Sequence, residues 1–172
     1  MKNLSMRTQP AATVALAIFI LATATIAGAW IFQFFGYAPC ELCLTERLPY
    51  YAGIAMSALA VLLAQRQQGS ALRASFISLV LIFAAGTVLG AYHAGVEWHF
   101  WPGPTDCTGT FQKAQSMQDF LKQLHSIKVV RCDEVALRVL GLSLAAWNAI
   151  ISAVLVALAV IGWRSTAGLP KT

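Results

Sequence analysis

The sequence predicts an all-α polytopic membrane protein, an antiparallel bundle of four transmembrane helices with both termini cytoplasmic. Two observations carry that class. Apolar residues make up 58% of the 172 and charged residues 11%, against about 25% charged in a water-soluble domain. Four stretches free of Asp, Glu, Lys and Arg, namely Ala11–Phe35, Leu48–Ala64, Ala74–Val96 and Val139–Trp163, are long enough to cross a bilayer or nearly so, which takes roughly 20 residues of helix. Lipid offers backbone polar groups no partner, so such segments are helical. Period-two alternation is absent, which argues against a membrane barrel.

The first helix spans 11–35. The small residues Ala27-Gly28-Ala29 resemble a cleavage site, but the apolar run far exceeds the roughly 7–15 residues of a signal-peptide core. The second run is the shortest and becomes adequate if its helix spans 45–64, with Pro49 tolerated in the first turn. The third spans 74–96 and carries Gly86 and Gly90 at small-xxx-small spacing, a close-packing signal. The fourth spans 139–163, where Asn148 is expected to hydrogen-bond a neighbouring helix. Outer loops then cover 36–44 and 97–138, and residues 1–172 form a single membrane domain.

Charge sets the orientation. Lys2, Arg7, Arg66, Arg73, Arg164 and Lys171 mark the two tails and the second connection, which hold no acid, whereas all seven acids fall on the opposite side. The positive-inside rule therefore places both termini in the cytoplasm; the five bases of the long outer loop weigh little, because long translocated loops obey the rule weakly. The net charge of +5 does not indicate nucleic acid, since the bases are scattered and no basic run alternates with stacking aromatics. Trp30, Phe34, Phe35, Tyr37, Tyr50, Tyr51, Trp98 and Trp101 are expected to form an aromatic belt at the outer interface.

This topology puts Cys40, Cys43, Cys107 and Cys132 on the outer side. An even cysteine count facing an oxidising compartment reads as two disulfides. Cys107 and Cys132 could simply staple a loop, worth roughly 3–4 kcal/mol. Cys40 and Cys43 suit stapling badly: a C-x-x-C ring closes almost no chain entropy and is commonly redox-active. A zinc site lacks a second close pair, and His93, His99 and His125 are not at paired spacing, so no metal is expected. Leu44 follows Cys43 where c-type haem attachment needs His. With a helix starting near Thr45 and Arg47 one turn in, Cys43 is expected to be the better thiolate of its pair. Arg47 could equally be an interfacial residue paired with Glu46.

An oxidising dithiol at a membrane needs an electron sink, and no nucleotide fingerprint is present. A lipid-soluble quinone needs only a groove between helices with a cation or polar donor beside its carbonyl. Arg47 and His93, near the outer ends of the second and third helices, are the available groups. Glu41 and Glu46 have no role in this reading.

The stretch Cys40–Arg47, CELCLTER, resembles the C-x-x-C-x-x-x-R signature of the DsbB family of inner-membrane disulfide-forming proteins. Tyr92–Cys107 and Arg131–Asn148 are similar to two further family blocks, in the same order. The resemblance implies a membrane thiol:quinone oxidoreductase with redox disulfides Cys40–Cys43 and Cys107–Cys132. Cys107 would engage a periplasmic DsbA-type protein, Cys132 would exchange with Cys40, and Cys43 would face quinone (ubiquinone or menaquinone) beside Arg47. Vitamin K epoxide reductase relatives, which also couple cysteines to quinone, place the loop pair before the C-x-x-C, unlike this chain. The alternative from another class is a non-catalytic membrane protein with structural disulfides or a metal site in its outer loops. Between the loop cysteines, Phe111, Ala114, Met117, Leu121 and Leu124 recur at helical spacing, a short surface helix that would restrain the loop.

Overall fold

The computed structural model describes residues 2–104, 116–118, 131–167 and 169, with side chains from Gln9 onward. Among the described residues the elements follow in this order: α1 (Lys2–Phe34), α2 (Glu41–Thr45), α3 (Arg47–Gln65), α4 (Gly69–Glu97), the strands β1 (Arg138–Val139) and β2 (Leu142–Ser143), and α5 (Leu144–Ser165). Among the described residues four segments are long and apolar enough to cross a membrane: Gln9–Phe34, Glu41–Gln65, Gly69–Glu97 and Leu144–Ser165. The expected four-helix architecture is therefore observed.

The long helices close a ring. α1 packs against α3 and α5, and α4 packs against the same two. Phe76, Phe83, Leu72, Leu79, Tyr50, Leu155 and Ile18 fill the centre. Leu81, Val88, Leu62 and Ile161 point outward and stay exposed, as side chains facing lipid do. Small residues bring the backbones together. A Cβ on Gly90 would lie 2.8 Å from the Ala149 amide nitrogen, and one on Gly86 would lie 3.1 Å from Ser152 Oγ. The Gly86/Gly90 spacing is thus the α4–α5 contact.

α1 begins at Lys2 rather than 11 and α4 at Gly69 rather than 74, and two further boundaries differ for an identifiable local reason. The second span starts at Glu41 rather than 45 and is broken at Glu46. Pro49 explains the break: it has no amide hydrogen, and its ring crowds the carbonyl four residues earlier, that of Thr45. The fourth helix starts at Leu144 rather than 139, because Arg138–Ser143 folds as a hairpin with Arg138 opposite Ser143 and Val139 opposite Leu142. Leu140 and Gly141 turn it with φ of +53° and +84°, the two left-handed positions of the tightest hairpin turn. Ser143 then caps α5 by accepting from the Ala146 amide at 3.2 Å, and Trp147 Nε1 donates to the Val139 carbonyl at 2.9 Å. The hairpin is therefore clamped to the first turn of α5.

Among the described side chains one end of the bundle carries bases and no acids, and the other carries the acids together with Arg47, Arg131 and Arg138. Arg66, Arg73 and Arg164 lie at one end, where Arg73 stacks over the Trp163 ring at 5.4 Å. Glu41, Glu46 and Glu97 lie at the other. Around that acidic end Trp30, Phe34, Phe35, Tyr37, Tyr51, Trp98 and Trp101 are exposed. Tyr50 is the exception to the expected belt: it is buried, and its hydroxyl meets Ser152 Oγ at 3.0 Å. One residue along a helix from Tyr51 turns a side chain by about 100°, enough to move it from rim to core. Of the expected surface helix, Phe111, Ala114, Leu121 and Leu124 lie outside the described residues; Met117 is described and exposed.

Candidate functional site

Cys40 ends the extended stretch after α1 and is the N-cap of α2. Its φ and ψ of −78° and 171° are those of a capping residue, and its Sγ accepts from the Cys43 amide at 3.2 Å. The break before Pro49 turns Glu46 inward, where it is buried. From α4, one turn before its end, His93 reaches the same place and is 3% exposed. His93 Nδ1 lies 2.8 Å from Glu46 Oε1, and the other ring nitrogen, Nε2, lies 3.7 Å from Cys40 Sγ. With the Glu46 carboxylate as acceptor, Nδ1 carries the proton and Nε2 turns its lone pair toward sulfur.

The Cys40 and Cys43 sulfurs are not bridged to each other, whereas Cys132 is disulfide-bonded. Cys132 is buried against Cys40, with Leu42 and Cys43 packed beside them. Arg131 brackets Cys132 by a two-pronged bond to Asp133, at 2.9 Å and 2.6 Å. That guanidinium holds the Asp133 carboxyl below the usual range, though an exposed pair of this kind adds little stability. Cys107 and His125 lie outside the described residues.

The thiol of Cys40 is held below the ordinary range. The chief cause is a hydrogen bond with the Cys43 side chain; burial opposes it, and the Cys43 amide adds to it. The expectation that Cys43 is the better-supported thiolate is therefore corrected. It placed the helix start near Thr45, whereas the helix starts at Glu41, so Cys40 takes the cap and Cys43 falls within the first turn.

Beside the pair lies a cavity of about 510 Å³ between α1, α3, α4 and α5. Ala24, Ile26, Phe32, Leu144 and Ile151 give it apolar walls, and Cys40, Cys43, Arg47 and His93 line it as well. Arg47 Nη1 donates to Gln33 Oε1 at 2.9 Å, so α1 holds the guanidinium at the cavity wall. Two buried polar atoms on the lining residues, Asn148 Nδ2 and Glu97 Oε2, lack partners among the described residues. The interhelical bond expected of Asn148 is thus not made through its Nδ2. An apolar chamber with a few convergent polar groups is the usual form of a small-molecule site, and its orphan donor and acceptor suit a ligand with carbonyl and hydroxyl ends.

The fold brings together four of the six residues singled out from sequence, Cys40, Cys43, Arg47 and His93, and packs a fifth, Cys132, against them. Three partners had no such reading: Glu46, Gln33 and Glu97. Glu46 stood out as an acid bordering an apolar run, but its tie to His93 crosses 47 positions and no spacing rule shows it. Among the described residues Cys40, Cys43 and His93 are also the group whose ligand atoms lie close enough for one metal ion, all within 4.8 Å of one another.

Residues 11–162 match the family model for disulfide bond formation protein DsbB. The chain is also 26% identical over 141 residues to an uncharacterized protein, RP370, of Rickettsia prowazekii (strain Madrid E), covering 81% of this chain and 77% of that one. No solved structure matches.

Proposed function

Given that the chain belongs to the DsbB family of multi-pass membrane disulfide bond formation proteins, we propose that it reoxidises a periplasmic DsbA-type dithiol protein and passes the electrons to membrane quinone. Its setting is the bacterial inner membrane, with the cysteine loops in the periplasm as the positive-inside rule orients them. One observation carries the reading: Cys40 touches Cys132 on one side and lines the apolar cavity on the other.

The disulfide of Cys107 and Cys132 accepts the partner's electrons through a mixed disulfide on Cys107, which frees Cys132 as a thiolate. Cys132 attacks Cys40 of the oxidised C-x-x-C, and Cys43 leaves. The partner's second thiol resolves the mixed disulfide, so the partner leaves oxidised and Cys107 is freed as a thiolate; Cys107 then attacks Cys132, re-forming the loop disulfide and releasing Cys40. A lowered pKa makes Cys40 the better leaving group. His93 Nε2 is placed to accept its proton, with Glu46 stabilising the imidazolium. Closing Cys40 onto Cys43 releases two electrons and, from the dithiol, two protons; a quinone takes up both and becomes the quinol. Arg47, held by Gln33, and the Asn148 amide line the cavity and are the donors this reading assigns to a quinone carbonyl.

The test mixes purified protein, reduced DsbA-type partner and ubiquinone, and follows thiols and quinol together. Cys43→Ser is expected to stop quinol formation; unaltered turnover would overturn the relay. Cys107→Ser is expected to remove the covalent partner adduct, and an adduct persisting through Cys132 would reverse the roles of the two.

A further inference from the structure

We propose that the reduced C-x-x-C pair and His93 form a redox-gated site for a thiophilic d10 cation of the Zn²⁺ class. The sequence argues against zinc because no second cysteine pair stands at knuckle spacing. The fold supplies the missing ligand from another helix. Cys40 Sγ, Cys43 Sγ and one His93 ring nitrogen lie within 4.8 Å of one another, and Cys40 Sγ is already 3.7 Å from Nε2. Tetrahedral zinc, with bonds of about 2.0–2.3 Å, separates its ligand atoms by roughly 3.5 Å. Small side-chain rotations therefore close the site.

Three further features fit a soft divalent ion. Glu46 binds Nδ1 at 2.8 Å, the carboxylate–histidine arrangement that orients imidazole ligands and raises their basicity. Two thiolates balance a 2+ ion, so the complex adds no net charge to a buried place. The cavity beside the pair leaves a fourth position for water, the open geometry of an exchangeable site. Binding forms two metal–sulfur bonds and one metal–nitrogen bond and releases the two thiol protons to solvent. Oxidising the pair to its disulfide removes both thiolates. The ion therefore binds only the electron-loaded state and competes with electron transfer out of it. This inference does not rest on quinone being the acceptor.

The experiment uses full-length protein in detergent micelles carrying Cys107→Ser and Cys132→Ser, so that only the C-x-x-C can bind. Zn²⁺ is titrated against a competing chelator, and Co²⁺ serves as a spectroscopic probe. Expected are one Zn²⁺ per reduced chain, at least 100-fold weaker binding after oxidation, and a tetrahedral Co²⁺ spectrum with thiolate charge-transfer bands. His93→Ala is expected to weaken Zn²⁺ at least tenfold, and Glu46→Gln by about 10–100-fold, the usual effect of losing an outer-shell partner. Equal affinity in the oxidised and reduced forms, or a Co²⁺ spectrum without thiolate bands, would overturn the site. Unchanged affinity in His93→Ala overturns the imidazole ligand; His93→Gln, which keeps a polar side chain in the pocket, repeats that test should the alanine variant not fold.

Discussion

Glu46 and His93 sit on opposite sides of a helix–helix contact and meet at 2.8 Å, both buried. The imidazole between Glu46 and Cys40 makes a chain of carboxylate, ring and sulfur in which a proton lost by sulfur has somewhere to go. Removing the ring is expected to lower turnover by about 10²-fold, within the usual range for a positioned acid–base group. Glu46→Gln keeps a hydrogen-bond partner but loses the charge that stabilises imidazolium, so a smaller loss, about tenfold, is expected. Stopped-flow oxidation of the reduced pair by quinone measures both. Equal rates in wild type and His93→Ala would remove the ring from the reaction.

Gln33 holds Arg47 at the cavity wall. A hydrogen bond to a charged group contributes about 1.5–3 kcal/mol. Gln33→Ala is therefore expected to raise the apparent KM for a soluble quinone analogue roughly tenfold while leaving kcat near wild type. Arg47→Gln should raise it further. Steady-state kinetics separate the two constants, and an unchanged KM in Arg47→Gln returns the guanidinium to an interfacial role.

The depressed pKa of Cys40 gives a pH signature. A thiolate stabilised in the folded state is present above its lowered pKa and lost as pH falls through it. In the Cys107→Ser, Cys132→Ser background, ultraviolet thiolate absorbance of the reduced protein should titrate with a first midpoint below the ordinary thiol value of about 8.5. Cys43→Ala removes the chief hydrogen bond and should move the Cys40 midpoint upward. A midpoint that does not move would show the support comes from elsewhere.

Gly90 and Ala149 set how closely α4 approaches α5. Gly90→Ala places a methyl 2.8 Å from the Ala149 amide nitrogen, an overpacking that typically costs about 1–3 kcal/mol. Gly28 on α1 has nothing within 4 Å of its added Cβ. Gly28→Ala should instead be neutral or stabilising, by up to about 1 kcal/mol from helix propensity. Thermal unfolding in detergent distinguishes them, and equal Tm values would contradict the close contact.

What could be read before folding depended on how local its cause is. The four spans, the C-x-x-C and Arg47 are legible because apolar length and short spacing are properties of neighbouring residues. The break at Glu46 was within reach too, since Pro49 acts on the carbonyl of Thr45. The Arg138–Ser143 hairpin was hidden inside an uninterrupted apolar run, where Gly141 was the one local sign. Glu46 with His93, and Gln33 with Arg47, are pairings between helices, fixed by the register in which α3 meets α4 and α1. No single-chain periodicity encodes that register.

Cys40 Sγ accepts the Cys43 amide hydrogen at the start of α2. The atom proposed to exchange electrons is therefore also a piece of secondary structure. Whenever that sulfur bonds to Cys132 or closes onto Cys43, the acceptor seen by the amide changes, and the first turn of the helix is tightened or let go. Under the proposed relay, hydrogen exchange at the Cys43 amide is expected to differ between the reduced and bridged forms of Cys40, a readout that needs no probe on the cysteines themselves.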